Sequence, residues 1–139
     1  MVQGPDHGHD SPGAPEGDVY DWYHRGLALL ESGSHAAAAA VLEHAAAAEP
    51  SSRSVREALA RAQYGAKRYA EAAESFRKIV EADPAEDYAL FGLGLALTRT
   101  GDVEEAVEHL ALACAMRPEN KHYATALRHA RARKGEPPE

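Results

Sequence analysis

The sequence predicts an all-α protein made of antiparallel helix pairs laid side by side. Three observations lead there. First, the chain copies itself at a spacing of 34 residues: Ala38, Ala72 and Ala106 fall in register, as do Leu42, Phe76 and Leu110, and Gly26, Ala60 and Gly94. A fixed period in this range is the mark of stacked helical units, because each unit buries its apolar face only against its neighbours. Second, 45% of the residues are hydrophobic but only 6% are aromatic, and much of the remainder is alanine. Thin helix pairs suit such a supply of side chains better than one thick core. Third, the stops recur: Gly33 and Gly101 between the helices of a pair, and Pro50, Pro84 and Pro118 after the second helix.

The elements follow in order. A first helix is expected over 19–32, started by Asp18, whose carboxylate can accept from free amides and suits the positive helix end. Gly33 ends it. Ser34 is placed to cap a second helix, 35–49, which is nearly all alanine, the best helix former, with Val41 and Leu42 as its large contacts. Ser51 or Ser52 caps a third helix over about 54–64. The turn Gly65-Ala66-Lys67-Arg68 leads to a fourth over 69–82, which stops at Asp83-Pro84 because proline disfavours helix in the residue before it. A fifth spans about 86–99. Gly101 and Asp102 supply a stop and a cap, and a sixth spans 103–116. Asn120 caps a seventh, 121–134, with Ala124 and Leu127 expected to face the stack. Lys67 stands where the other two copies have Gly33 and Gly101, so the turn of the second copy is the one whose geometry the pattern does not guarantee.

The residues in register carry a resemblance. The first copy reads Trp22, Arg25, Gly26, Leu29, Gly33, Ala38, Leu42, Ala45 and Pro50. The second reads Leu59, Ala60, Tyr69, Ala72, Phe76, Ile79 and Pro84. The third reads Leu93, Gly94, Leu97, Gly101, Ala106, Leu110, Ala113 and Pro118. Together they resemble the tetratricopeptide repeat family over about 100 of the 139 residues. The resemblance implies a right-handed α-solenoid of three helix-turn-helix units and seven helices. Repeats are then expected at 19–52, 53–86 and 87–120, with a capping helix at 121–134. Arg128, at the register position of Gly26 and Gly94, marks that last helix as a cap; Arg25, where Leu59 and Leu93 stand, marks the opposite end. Residues 1–18, rich in proline and glycine and without apolar period, and residues 135–139 are expected to be disordered tails.

Composition narrows the function. The net charge is −7, which argues against nucleic acid, whose phosphates call for clustered base; Lys121, Arg128, Arg131, Arg133 and Lys134 near the C-terminus are the one feature in its favour. One cysteine, Cys114, leaves no internal disulfide framework and reads as a small filler on an apolar helix, which fits a reducing cytoplasm. No secretory signal and no membrane insertion are expected from the apolar runs. His7, His9 and Asp10 have a metal-like look but read as a solvated tail. The eight histidines are scattered, and no metal-protease spacing, phosphate loop or nucleophile elbow occurs. No catalytic residue, cofactor or metal is expected, and the protein is read as a non-enzyme.

By the resemblance, the first helix of each pair lines a groove that binds a peptide or protein segment. In this chain that surface comprises Tyr20, Tyr23, Leu27 and Leu30, then Glu57, Arg61 and Tyr64, then Tyr88, Phe91, Leu95, Thr98 and Arg99, and finally His122, Thr125 and His129. None of these is expected to be needed for the core. Aromatic residues and arginine dominate interface energies, so an aromatic groove with Arg61 and Arg99 free for a carboxylate is the expectation. Heat-shock co-chaperone repeats hold a terminal carboxylate at positions that here are Tyr23, Leu27, Ala58, Tyr88 and Gly92, none a suitable donor. The expected role is a protein–protein adaptor. The alternatives are a self-associating regulatory or assembly subunit, such as a homodimer, and a chaperone for secreted substrates.

Overall fold

The computed structural model describes residues 16–135, and these hold seven α-helices and no strand. They are α1 (Val19–Glu31), α2 (His35–Ala48), α3 (Arg53–Gly65), α4 (Tyr69–Ala82), α5 (Asp87–Thr100), α6 (Val103–Met116) and α7 (Lys121–Gly135). Every boundary lies within one residue of the sequence expectation. His7, His9 and Asp10 lie outside the described residues. Residues 16–18, expected to belong to a loose tail, are tied to α1: the Glu16 carbonyl accepts from Trp22 Nε1 at 3.1 Å and from Arg25 Nη2 at 3.3 Å. Gly135, likewise expected in a tail, is the last residue of α7.

Three of the expected caps form. Asp18 accepts from the Asp21 amide at 3.0 Å while Asp21 accepts from the Asp18 amide at 3.3 Å, a reciprocal capping box. Ser52 accepts from the Val55 amide, and Asn120 from the Tyr123 amide at 3.0 Å. Two side chains do not cap as expected. The Ser34 hydroxyl lies 3.3 Å from that of Ser32, and the Asp102 carboxylate accepts from Thr100 Oγ1 at 3.0 Å, so each is diverted to a neighbour in its own turn. The alanine run of α2 and the acids Glu104 and Glu105 of α6 sustain those starts without them. The turn before α4 has the same left-handed backbone as the others: φ is 66° at Lys67, against 83° at Gly33 and 95° at Gly101. The second copy keeps the geometry and bears a side-chain strain that glycine avoids.

The chain divides after Ala66 into two compact units. In the first, α2 packs on both α1 and α3. Its core gathers Trp22, Leu42, Val55 and Leu59 around six alanines. Leu42 is fully buried, and it sits 2.5 Å from where a Gly26 side chain would begin. Leu42 shares this cluster with Ala58 of α3. A large wedge from the second helix of a pair thus lies against a small residue of the first.

The second unit repeats the device. Leu110 Cδ2 of α6 lies 2.7 Å from the place a Gly94 Cβ would take, with Leu110 Cγ nearer still, and Leu110 clusters with Ala126 of α7. Phe76 Cε1 of α4 lies 2.5 Å from the place a Gly92 Cβ would take on α5, with Phe76 Cζ nearer still. The largest wedge, Phe76, therefore faces a glycine where the leucines have Ala58 and Ala126. On α7 the inward stripe is Tyr123, Ala126, Leu127 and Ala130. Leu127 behaves as expected, but Ala124 is exposed, because it lies about 100° round the helix from Tyr123.

Candidate functional site

In the first unit, α1 and α3 lie in contact and present the expected surface. Tyr20 is 69% exposed, Arg61 is exposed and makes no ion pair among the described residues, and Glu57 and Tyr64 are half-buried. Tyr23, Leu27 and Leu30 are half-buried too, and they pack against the Trp22–Leu42 core. The imidazole of His24 lies 4.2 Å from the Tyr20 ring and 5.5 Å from that of Tyr23, centroid to centroid. Beside them opens a cleft of about 280 Å³ lined by Val19, Tyr20, Tyr23 and Val55 and by the polar groups of Glu49, Ser52 and Ser54.

In the second unit, four rings run in sequence. Phe76 meets Tyr88 edge-on at 6.2 Å, Tyr88 lies 6.1 Å from Phe91, and Phe91 stacks on Tyr123 at 4.7 Å. Tyr88, second in the row, is the exposed ring, with 36% of its surface open, whereas Phe76 at the end is buried. Tyr123 closes the row at its other end and is also buried, and its hydroxyl donates to Asp87 Oδ2 at 2.7 Å. Burial, and then the Asp87 carboxylate, push the Tyr123 phenol far above its ordinary value. Asp87 also pairs with Arg117 at 3.5 Å. His122, Thr125 and His129 are exposed on α7.

Several expectations are corrected by this geometry. Phe91 and Leu95 pack against the Leu110 cluster, so they are partly core residues; so are Tyr23 and Leu27 in the first unit. Thr98 is buried, its hydroxyl donating to the Gly94 carbonyl at 2.7 Å. Arg99 is exposed and anchored on Tyr69: it donates to the Tyr69 hydroxyl at 3.0 Å and its guanidinium lies 4.9 Å from the centre of that ring. Cys114 is half-buried rather than buried, against the Leu110 and Leu90 clusters. Tyr123 was given no role by sequence reasoning, although it stands 34 residues after Ala89 and 68 after Val55, both buried.

Away from this surface, Arg77 of α4 donates to Glu105 of α6 at 2.6 Å, and Glu105 also lies 3.2 Å from His109 Nε2. The Arg77 hydrogen bond holds the Glu105 carboxyl below its ordinary range and raises the guanidinium in turn. The larger cleft, about 460 Å³, lies at the start of α6 around Asp102, Glu104, Glu105 and Glu108. Its carboxylates occupy the first turns of a helix, where the dipole favours them, and its lining is otherwise Gly101 and Val103. Among the described residues no three histidine, cysteine or acidic side chains converge as a metal site would require, and no helix is long and apolar enough to cross a membrane.

The comparisons with known proteins agree with this architecture. No curated protein matches the chain by sequence. Among solved structures, MamA from Desulfovibrio magneticus RS-1, residues 41 to the end, is similar with a TM-score of 0.80 at 26% identity, over 84% of this chain and 66% of that one. The C-terminal tetratricopeptide-containing domain of a Plasmodium falciparum FK506-binding protein has a TM-score of 0.78 at 21% identity, over 86% of this chain and 89% of that one. The second tetratricopeptide domain of human RPAP3, solved with an HSP70 peptide, has a TM-score of 0.75 at 21% identity, over 81% of this chain and 94% of that one. These last two likenesses concern the fold. The tetratricopeptide repeat family itself matches twice, over residues 23–87 and 58–121. With the period, the wedge-and-slot packing and this match in agreement, the chain belongs to the tetratricopeptide repeat family.

Proposed function

We propose that the protein is a non-enzymatic adaptor that binds peptide segments of its partners on two surfaces, that of α1 and α3 and that of α5 and α7. The observation that carries this is the exposure of Tyr20 and Tyr88, 69% and 36%, at the same register position of the first helix in two repeats. Large aromatic side chains left at the surface of an aromatic-poor chain are the usual anchors of an interface. The RPAP3 domain in complex with an HSP70 peptide supports the idea that such a fold seats a peptide. A carboxylate clamp of the heat-shock type is not part of the proposal, because Tyr23, Leu27, Ala58, Tyr88 and Gly92 offer no cationic donor at its positions. The single half-buried thiol suits a reducing cytoplasm.

The test is selection of peptides from a displayed library on the full chain, followed by calorimetry. Tyr20→Ala and Tyr88→Ala should each weaken the selected peptides by about tenfold, the worth of one aromatic anchor, while far-ultraviolet dichroism stays unchanged. Phe91→Ala is a poor probe, because Phe91 also supports Tyr123. Unaltered affinity in both tyrosine variants would remove the proposal. A second reading, self-association, is favoured by Leu112 and Met116, two exposed apolar side chains one turn apart on α6. Light scattering across concentration decides it: a monomer at every concentration excludes it.

A further inference from the structure

We infer that the cleft beside Tyr20 and Tyr23 receives an arginine or lysine side chain of the bound segment, seated on the tyrosine rings and paired with Glu49. This rests on the peptide-binding reading and names the chemistry of one of its contacts. Glu49, Ser52 and Ser54 give the cleft its polar groups, and Val19 and Val55 its apolar surface. The Glu49 carboxylate is exposed and has no ion pair among the described residues. The neighbouring arginines are already engaged: Arg25 donates to the Glu16 carbonyl, Arg56 donates to the Pro50 carbonyl, and Arg53 has a partner of its own.

The wider charge agrees. Residues 16–66 hold seven acids and four bases, whereas residues 67–135 hold eleven of each. Helix ends add to this. Glu49 closes α2, so the negative end of that dipole lies at the cleft, while the positive end of α1 is already answered by Asp18 and Asp21. The start of α3 opposes a cation, but the Ser52 hydroxyl already takes one of its free amides. Two tyrosine rings and an unpaired carboxylate around a partly apolar cleft fit a flat or long-stemmed cation better than a neutral or acidic group. The chain's own first fifteen residues contain no arginine or lysine, so they do not supply the occupant.

The experiment titrates the full, nitrogen-15-labelled chain with acetyl-Gly-Arg-Gly-amide and with its citrulline counterpart, which keeps the shape and removes the charge. Saturable shifts are expected at the amides of Tyr20, Tyr23, Ser54 and Val55, with citrulline binding roughly three- to tenfold more weakly. Glu49→Gln should bring arginine down to the citrulline level. Tyr20→Ala should weaken both. Equal shifts from the two probes, shifts centred elsewhere, or an unchanged arginine affinity in Glu49→Gln overturn the inference. So does tighter arginine binding after deletion of residues 1–15, which would mean that the tail fills the cleft, or a probe-free shift of these amides with protein concentration, which would mean that a second copy does. Library peptides that need Tyr88 but carry no base leave the adaptor reading standing and remove this one alone.

Discussion

Gly94→Ala separates two opposed effects whose sizes follow from the structure. Alanine is the better helix former, by about 0.8–1 kcal/mol in a helix interior. Taken alone, that predicts a more stable protein. But the new Cβ would arrive 2.7 Å from Leu110 Cδ2, closer than carbon atoms approach, and Leu110 is fully buried with nowhere to turn. Overfilling of this kind costs about 1–3 kcal/mol. The net expectation is a loss of up to about 2 kcal/mol, seen as a melting point lowered by about 3–5 °C for each kcal/mol in a chain of this size. Leu110→Ala alone should cost about 2–5 kcal/mol through the cavity it leaves. In that background Gly94→Ala meets no obstacle, so its effect should change sign and become a gain of about 1 kcal/mol. Urea titrations followed by helical dichroism give all four corners of the cycle. A gain from Gly94→Ala in the native background, or the same loss with and without Leu110, would refute the wedge-and-slot account.

Three further outcomes are expected. Lys67→Gly should raise stability by about 0.5–1 kcal/mol, since left-handed backbone at a residue with a Cβ costs about 1–2 kcal/mol and glycine's extra freedom when unfolded takes part of that back; a lower melting point would contradict it. Glu105→Gln should cost about 0.5–1 kcal/mol at neutral pH, a modest figure because both side chains of the Arg77 pair remain about a third exposed. Because the Glu105 carboxyl is lowered in the fold, its contribution is present above the ordinary glutamate value near 4.3 and fades as pH falls through the folded value, so the two proteins' melting points should converge in acid. Tyr123→Phe should cost about 1–2 kcal/mol by leaving Asp87 without its phenol donor. In a spectrophotometric titration the Tyr123 phenol should ionise well above its ordinary value, and the variant should lack that step. The raised phenol contributes below its ordinary value near 10 and is lost only as pH rises through the folded one.

The helices were legible because the 34-residue register fixes several things at once. It places the stops at Gly33, Gly101 and the three prolines, and it says which residues share a face. Depth on that face was less legible. Tyr23, Leu27, Phe91 and Leu95 stand where the pattern puts surface residues, yet each lends part of its side chain to the core beneath. A half-buried ring looks the same in a sequence as an exposed one. Arg99 shows a second limit: its partner is Tyr69, thirty residues earlier and on the other helix type, so the repeat pattern does not pair them. Tyr123 shows the reverse case. Its register with Val55 and Ala89 announced burial, but an aromatic there departs from both, and the stacking on Phe91 and the Asp87 bond that make room for it come from tertiary structure.

The close approach of Phe76 to Gly92, and the clustering of Leu42 with Ala58 and of Leu110 with Ala126, bear on how such a chain can be rearranged. Bulk on one side is matched by absence on the other, so each junction is keyed to its own neighbours. Shuffling the modules would set a phenyl ring against a methyl group at one seam and leave a void at another. Although the backbone is periodic, the order of the units is written into it, and an engineer transplanting one of them would have to carry its receiving residue along.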